Sequence, residues 1–194
     1  MNILKLLNNK QKNKLIIKEY ESNHIIFYEG DKCDNVGIVI KGKVEISSTL
    51  NNGNKIIYNT INQNEMFGNN LIFTSNNKYK GNIITLENTN IAYINKNDLL
   101  DILKNNNEFL IEYLNRQSEF SKKLNEKIKL LSIKNAKDRF LFYLKINNYK
   151  INYSTISLLA EELSLQRETL SRVISKLEKD KVIIKKNKSI ELRN

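Results

Sequence analysis

The sequence predicts an α+β chain in three parts: an N-terminal antiparallel β-roll, a long dimerisation helix and a C-terminal winged helix-turn-helix. Three observations carry this. Short apolar runs with Gly or Asn turns recur from residue 23 to about 95. The period then changes, and Leu110, Leu114, Gln117, Ser121, Leu124, Ile128 and Leu131 follow one another at spacings of four and three. The last third reads as two short helices and a hairpin. Strands gathered before helices indicate an α+β chain rather than alternating βαβ units. The expected parts are 1–107, 108–133 and 134–194.

The chain opens on a short amphipathic patch, Met1-Asn2-Ile3-Leu4-Lys5-Leu6-Leu7, broken by Asn8, Asn9 and Lys10. Ile25, Phe27 and Tyr28 begin a strand. Val36, Ile38 and Ile40 alternate with Gly37, Val39 and Lys41 before Gly42 turns the chain into Val44. Asn51-Asn52-Gly53-Asn54 is a hairpin signal between 44–50 and 55–61, because Asn and Gly tolerate the positive φ of tight turns. The runs 83–86 and 91–94 read as a further pair across Glu87-Asn88-Thr89-Asn90. Short strands at such spacing predict a small antiparallel roll or barrel.

The seven positions from Leu110 to Leu131 make a coiled-coil seam, with Glu112, Arg116, Lys122, Lys123, Glu126 and Lys127 outside it. A heptad asks for a partner helix, and the simplest partner is a second copy. Gln117 and Ser121 are its polar middle, where the helix pair is expected to be loose or to leave room for a ligand.

A further helix is expected within 134–150, with Ala136, Phe140, Tyr143 and Leu144 inward. Ser154 or Thr155 then caps a short helix that includes Leu159, Ala160 and Leu163. Ala160 is small where two helices must cross. The next helix, to about Lys179, sets Leu170 and Val173 inward with Leu165, and Gln166, Arg167, Thr169 and Arg172 outward. Val182-Ile183-Ile184, a turn at Lys185-Lys186-Asn187-Lys188, and Ser189-Ile190-Glu191-Leu192 make a basic hairpin. A helix-turn-helix followed by a hairpin is a winged helix whose second helix enters the major groove of double-stranded DNA.

Charge supports that reading. The chain has net charge +11. Residues 134–194 hold 14 basic and 7 acidic side chains, whereas residues 1–104 hold 13 and 10. The excess sits with the helix-turn-helix, as expected of a part that neutralises phosphates. Arg167, Glu168, Thr169, Ser171, Arg172, Gln166, Lys176 and Thr155 are the candidate DNA-contacting residues, with Lys186 and Lys188 reaching the phosphate backbone from the hairpin.

Other classes are disfavoured. The single cysteine, Cys33, excludes an internal disulfide and a cysteine-ligated cluster. Its acidic neighbours Asp31 and Asp34 disfavour the thiolate. The one histidine, His24, cannot furnish the several-histidine metal site of an enzyme on a cupin-like roll. No phosphate-binding glycine loop and no nucleophile–base set is present. The chain is therefore expected not to be an enzyme and to need no metal or cofactor. No apolar run would cross a bilayer and no secretory leader is read, so a cytoplasmic location is expected.

The order roll, long helix, winged helix resembles the Crp/Fnr family of bacterial transcription regulators over nearly the whole chain. The resemblance rests on Ile38-Val39-Ile40-Lys41-Gly42-Lys43-Val44, on Asn62-Gln63-Asn64-Glu65-Met66-Phe67-Gly68, and most specifically on Arg167-Glu168-Thr169-Leu170-Ser171-Arg172. It implies a cyclic-nucleotide-binding-like roll and a homodimer on an inverted repeat, with RNA polymerase as a candidate partner. It also implies roles. Arg167 matches a guanine-reading arginine of the cyclic-AMP branch, Glu168 would accept from a cytosine amino group, and Arg172 would reach a second guanine or a phosphate. Glu168, Ser171 and Arg172 match the Glu-x-x-Ser-Arg pattern of the oxygen-sensing branch, and the half-site expected is TGTGA-like. The turn position that the family usually gives to Gly is Ser164.

The resemblance also marks an effector pocket: Gly68, Asn69, Lys78, Tyr79, Lys80, Leu124 and Asn125. Cyclic-nucleotide binders of the family hold the ribose with a carboxylate and the phosphate with an arginine. Here those positions are Asn69 and Tyr79 or Lys80. An amide lacks the charge-assisted bond, and a lysine lacks the bidentate fork. The expected effector is therefore another small molecule, or none. An alternative is a dimeric interaction or sensing protein whose winged helix no longer reads DNA.

Overall fold

The computed structural model describes residues 2–53 and 55–193. Met1, Asn54 of the hairpin signal, and Asn194 lie outside the described residues. The chain divides into two compact units, Met1–Ser118 and Glu119–Asn194.

The first unit holds two four-stranded antiparallel sheets. One is ordered β1 (Ile16–Tyr20), β8 (Thr89–Asn95), β3 (Asn35–Lys41), β6 (Met66–Phe67); the other β2 (Ile25–Phe27), β7 (Asn82–Thr85), β4 (Val44–Thr49), β5 (Lys55–Ile61). The β4–β5 hairpin forms where the Asn-Gly signal placed it, with Gly53 at φ 82° and its N–H donating to Leu50 O at 2.9 Å. The expected pairing of 83–86 with 91–94 does not form. β7 pairs with β2 and β4, and β8 with β1 and β3. The chain changes sheet between them, and Asn88 at that crossing accepts from Ser22 N at 3.0 Å. β3 and β4 likewise lie in different sheets, so Gly42, at φ 92°, turns the chain from one sheet to the other.

The core lies between the sheets. Ile38, Ile83, Ile91, Ile94, Leu99 and Phe109 are fully buried, each contributing about 1.5–3 kcal/mol. Gly37 is required by close approach, since a Cβ there would sit 2.1 Å from the buried Phe67 ring. The opening apolar patch joins this core: a 3-10 turn, Ile3–Leu6, buries Ile3, and the one-turn α1 (Asn9–Lys12) follows, capped by Asn8.

Two helices follow the strands: α2 (Lys96–Asn105) and α3 (Asn107–Ser132). Asn106 breaks them apart. Its side-chain Oδ1 accepts from Phe109 N at 3.0 Å, and its side-chain amide Nδ2 donates to Leu6 O and Gln11 Oε1 at 2.8 and 2.9 Å. Along α3, Leu114, Leu124, Ile128 and Leu131 are 45–58% exposed. Ser121 is exposed and Leu110 half-buried. Gln117 departs from the expected seam, because both ends of its amide are spent on the roll. It donates to Asn69 O at 2.8 Å and accepts from Asn69 Nδ2 at 2.8 Å. Ile111 and Phe120, exposed by 51% and 38%, lie on the helix in apolar positions that the strict heptad omitted.

The second unit contains α4 (Ala136–Ile146), β9 (Lys150–Asn152), α5 (Ile156–Glu162), α6 (Arg167–Lys179), β10 (Ile183–Lys186) and β11 (Ser189–Leu192). Its sheet runs β10-β11-β9. β9, with one apolar residue among three, has no sequence signature. The hairpin is tighter than expected: Lys185 and Lys186 are strand residues and the turn is Asn187-Lys188. Among the described residues no helix is long and apolar enough to cross a membrane.

Candidate nucleic-acid interface and effector loop

Three helices frame the candidate interface. Asn135 caps α4, accepting from Lys137 N and Asp138 N at 2.9 and 3.1 Å. Phe140 and Leu144 are buried, Ala136 and Tyr143 only half-buried. Thr155, of the two candidate caps, closes the start of α5 by accepting from Leu158 N at 3.2 Å. Leu159, Ala160 and Leu163 are buried from that side. α6 buries Leu170, Ile174 and Leu177, at helical spacings of four and three. Val173, expected inward, is half-buried at the edge of that stripe, as is Leu165 before it.

The opposite face of α6 is free. Gln166, Arg167, Glu168, Thr169, Ser171, Arg172 and Lys176 are all exposed. Arg167 and Glu168 lie 3.9 Å apart with side chains 67% and 65% exposed, a pair too solvated to lock either group. Gln166, the N-cap, makes no side-chain capping bond. The first N–H groups and the positive end of the helix dipole thus meet solvent, where an anion is favoured. A groove of about 280 Å³ beside this face is lined by Asn135, Ala136, Lys137, Val173, Lys176 and Leu177. It sets Lys137, which sequence reasoning passed over, beside Lys176.

The hairpin lysines differ. Lys186 Nζ lies 2.7 Å from Glu191 Oε1, and Lys150 Nζ 3.6 Å from Glu191 Oε2. The hydrogen bond from Lys186, with both lysine charges, holds the Glu191 carboxyl below the usual range. Lys186 is therefore partly neutralised within the hairpin. Lys188 is exposed at the tip, at φ 54°, and among the described residues it makes no ion pair.

The turn between α5 and α6 is closed by Ser164 N to Glu161 O and Leu165 N to Ala160 O, both at 2.9 Å, and braced by side chains whose role there the sequence did not mark. Ser164 takes φ 51°. Arg139 Nη1 donates to Leu163 O and Ser164 O at 3.1 and 3.0 Å, and its Nε donates to Ile133 O at 2.9 Å. Lys127 Nζ donates to Glu162 O, and the Tyr143 hydroxyl to the Glu162 carboxylate.

In the first unit the effector-loop candidates do not form one polar cluster. Gly68 is buried at φ 78°, and a Cβ there would lie 2.9 Å from both Asn35 O and Cys33 Sγ. Asn69 is engaged by α3: besides Gln117, the Tyr113 hydroxyl donates to its carbonyl at 3.0 Å. Tyr79 is a core residue, 3% exposed and stacked on Phe27 at 4.7 Å, so it is withdrawn as a ligand contact. Its size and aromatic ring favour the apolar interior over a charged ligand. Lys78 and Lys80 are exposed; Leu124 and Asn125, also exposed, belong to the second unit. Burial, with the Asp34 charge adding, pushes the Cys33 thiol up, which keeps it protonated and inert.

Comparison with known proteins accords with this geometry. The cyclic nucleotide-binding domain family matches residues 17–106, and the Crp-like helix-turn-helix domain family matches residues 139–194. The HTH-type transcriptional regulator ArcR of Staphylococcus epidermidis is 23% identical over 195 aligned residues, covering 92% of this chain and 82% of the relative. The catabolite activator protein of Thermus thermophilus, 20% identical, aligns over all of this chain and 94% of its own with a TM-score of 0.57. A mutant CooA of Carboxydothermus hydrogenoformans, 17% identical, aligns over all of this chain and 92% of its own with a TM-score of 0.71.

Proposed function

Because this chain belongs to the Crp/Fnr family of transcription regulators, with a cyclic nucleotide-binding-like roll ahead of a Crp-like helix-turn-helix, we propose that it is a homodimer reading an inverted-repeat operator. The observation that carries the reading is the outward face of α6, where every candidate base-reading side chain from Gln166 to Lys176 is solvent-exposed above a closed apolar core. Arg167 offers a guanine two donors in one plane, and Glu168 offers a cytosine amino group an acceptor. Lys188 and the basic balance of the second unit supply the phosphate contacts.

The partner copy is argued from α3. Leu114, Leu124, Ile128 and Leu131 are about half exposed along one long helix, a row that a monomer would leave in water. Two-fold pairing sets half-sites about one helical turn apart. The effector is not cyclic AMP. Asn69 stands where the family resemblance asks for a carboxylate, and its amide is bound to Gln117; Tyr79 is packed in the core, and Lys80 lacks a guanidinium fork. The alternative of a winged helix that no longer reads DNA finds no support in a recognition face this open.

The test is selection of duplexes by the full chain from a random pool. The expected outcome is a palindrome with TGTGA-like half-sites. A pool that stays unenriched at low salt, or a single unrepeated half-site, overturns the reading.

A further inference from the structure

The turn that aims α6 is closed only in part by its own backbone, where Ser164 N and Leu165 N donate to Glu161 O and Ala160 O, both at 2.9 Å. Ser164 sits in the left-handed region, at φ 51°, where a side chain is disfavoured and glycine is not. Those backbone bonds, with Leu163 N to Leu159 O, satisfy the α5 carbonyls up to Glu161; a helix end leaves the ones after it without intrahelical donors. Three successive carbonyls of this turn are instead taken by cationic side chains from outside it: Glu162 O by Lys127, Leu163 O and Ser164 O by Arg139. Arg139 also bonds Ile133 O, just past the end of α3. Two residues after Ser164 comes Gln166, the N-cap of α6, and then Arg167.

We propose that Arg139 is the positioning residue of the recognition helix: its guanidinium ties the end of α3 to the Leu163-Ser164 turn and holds the left-handed Ser164 backbone from which α6 starts. Arginine suits this because a planar fork with five donors can bond three carbonyls at once, and its positive charge sits at the negative end of the α5 dipole. Lysine keeps the charge but cannot bridge the same set. Arg139 need touch no nucleotide; it acts through the place of Arg167 and its neighbours. The inference rests on the DNA-reading role of α6 proposed above.

The coupling between Arg139 and Ser164 gives the test. Full-chain protein is titrated with an operator selected from the random pool and with a scrambled duplex of equal length. Arg139→Lys is expected to lower operator affinity about tenfold while scrambled-duplex affinity stays within about twofold. Adding Ser164→Gly, which removes the backbone strain, should bring operator affinity back to within about threefold of wild type. Wild-type operator affinity in Arg139→Lys, an equal loss on both duplexes, or no recovery with Ser164→Gly would overturn the proposal. If Arg139→Lys fails to fold, Arg139→Gln takes its place, and amide exchange at Leu165, whose N–H donates to Ala160 O at 2.9 Å, reads the turn without DNA. Protection at Leu165 equal to wild type in the variant also counts against the clamp. Failure of the wild-type chain to bind any duplex counts instead against the DNA reading, and the exchange measurement still tests the clamp.

Discussion

In the proposed complex Arg167 and Lys188 would meet DNA through different physics, and substitution should separate them. Arg167 sits in the first turn of α6 with its guanidinium in solvent, free to align with a base edge. Arg167→Ala is expected to cost about 1–3 kcal/mol on the best operator and to relax choice at one base pair. Lys188, exposed at the hairpin tip, should weaken every duplex alike when changed to Ala and flatten the salt slope by about one. Lys186 is a poorer phosphate contact, because Glu191 already holds its ammonium. A mobility-shift series over half-site variants checks this; equal losses for Arg167→Ala on every variant would remove it from base reading.

At the scale of elements, α3 makes the sharpest demand. Its exposed Leu124 and Ile128 lie four residues apart, on the same side of the helix. Changing both to Glu should leave the chain monomeric by sedimentation and lower operator affinity about 100-fold, since two half-sites are then no longer bound as one. A dimeric double variant would place the partner surface elsewhere. What was legible in sequence follows from such periodicities. The heptad announced α3, and Leu170 set against the outward Gln166, Arg167, Thr169 and Arg172 announced α6 and its open face, although the buried stripe runs on through Ile174 and Leu177 rather than through Val173. The β4–β5 hairpin was legible because Asn and Gly are specific to tight turns. The pairing of β7 and β8 with other strands was not, since a change of sheet leaves no local mark. Gln117 and Arg139 were misread or missed for a related reason. Each spends its side chain on groups outside its own helix, Asn69 for Gln117 and Leu163 O and Ser164 O for Arg139, and such bonds have no period to detect.

Over the whole molecule, charge is unevenly shared. The residues from 134 onward carry twice as many basic as acidic side chains, while residues 1–104 are nearly balanced. Operator affinity should therefore fall steeply with salt, by about a thousandfold or more between about 50 and about 200 mM. A fluorescence-anisotropy titration at several salt concentrations measures the slope, and a flat one would mean that phosphates contribute little.

The division of the chain at residue 118, inside a continuous helix, bears on how it can be dissected. Cutting where the hydrophobic rhythm ends, near residue 134, would strip Leu130 out of the apolar interior it completes and take Lys127 away from the carbonyl it covers. A fragment that keeps those contacts thus begins mid-helix, near Glu119, and carries with it the latter half of the proposed zipper.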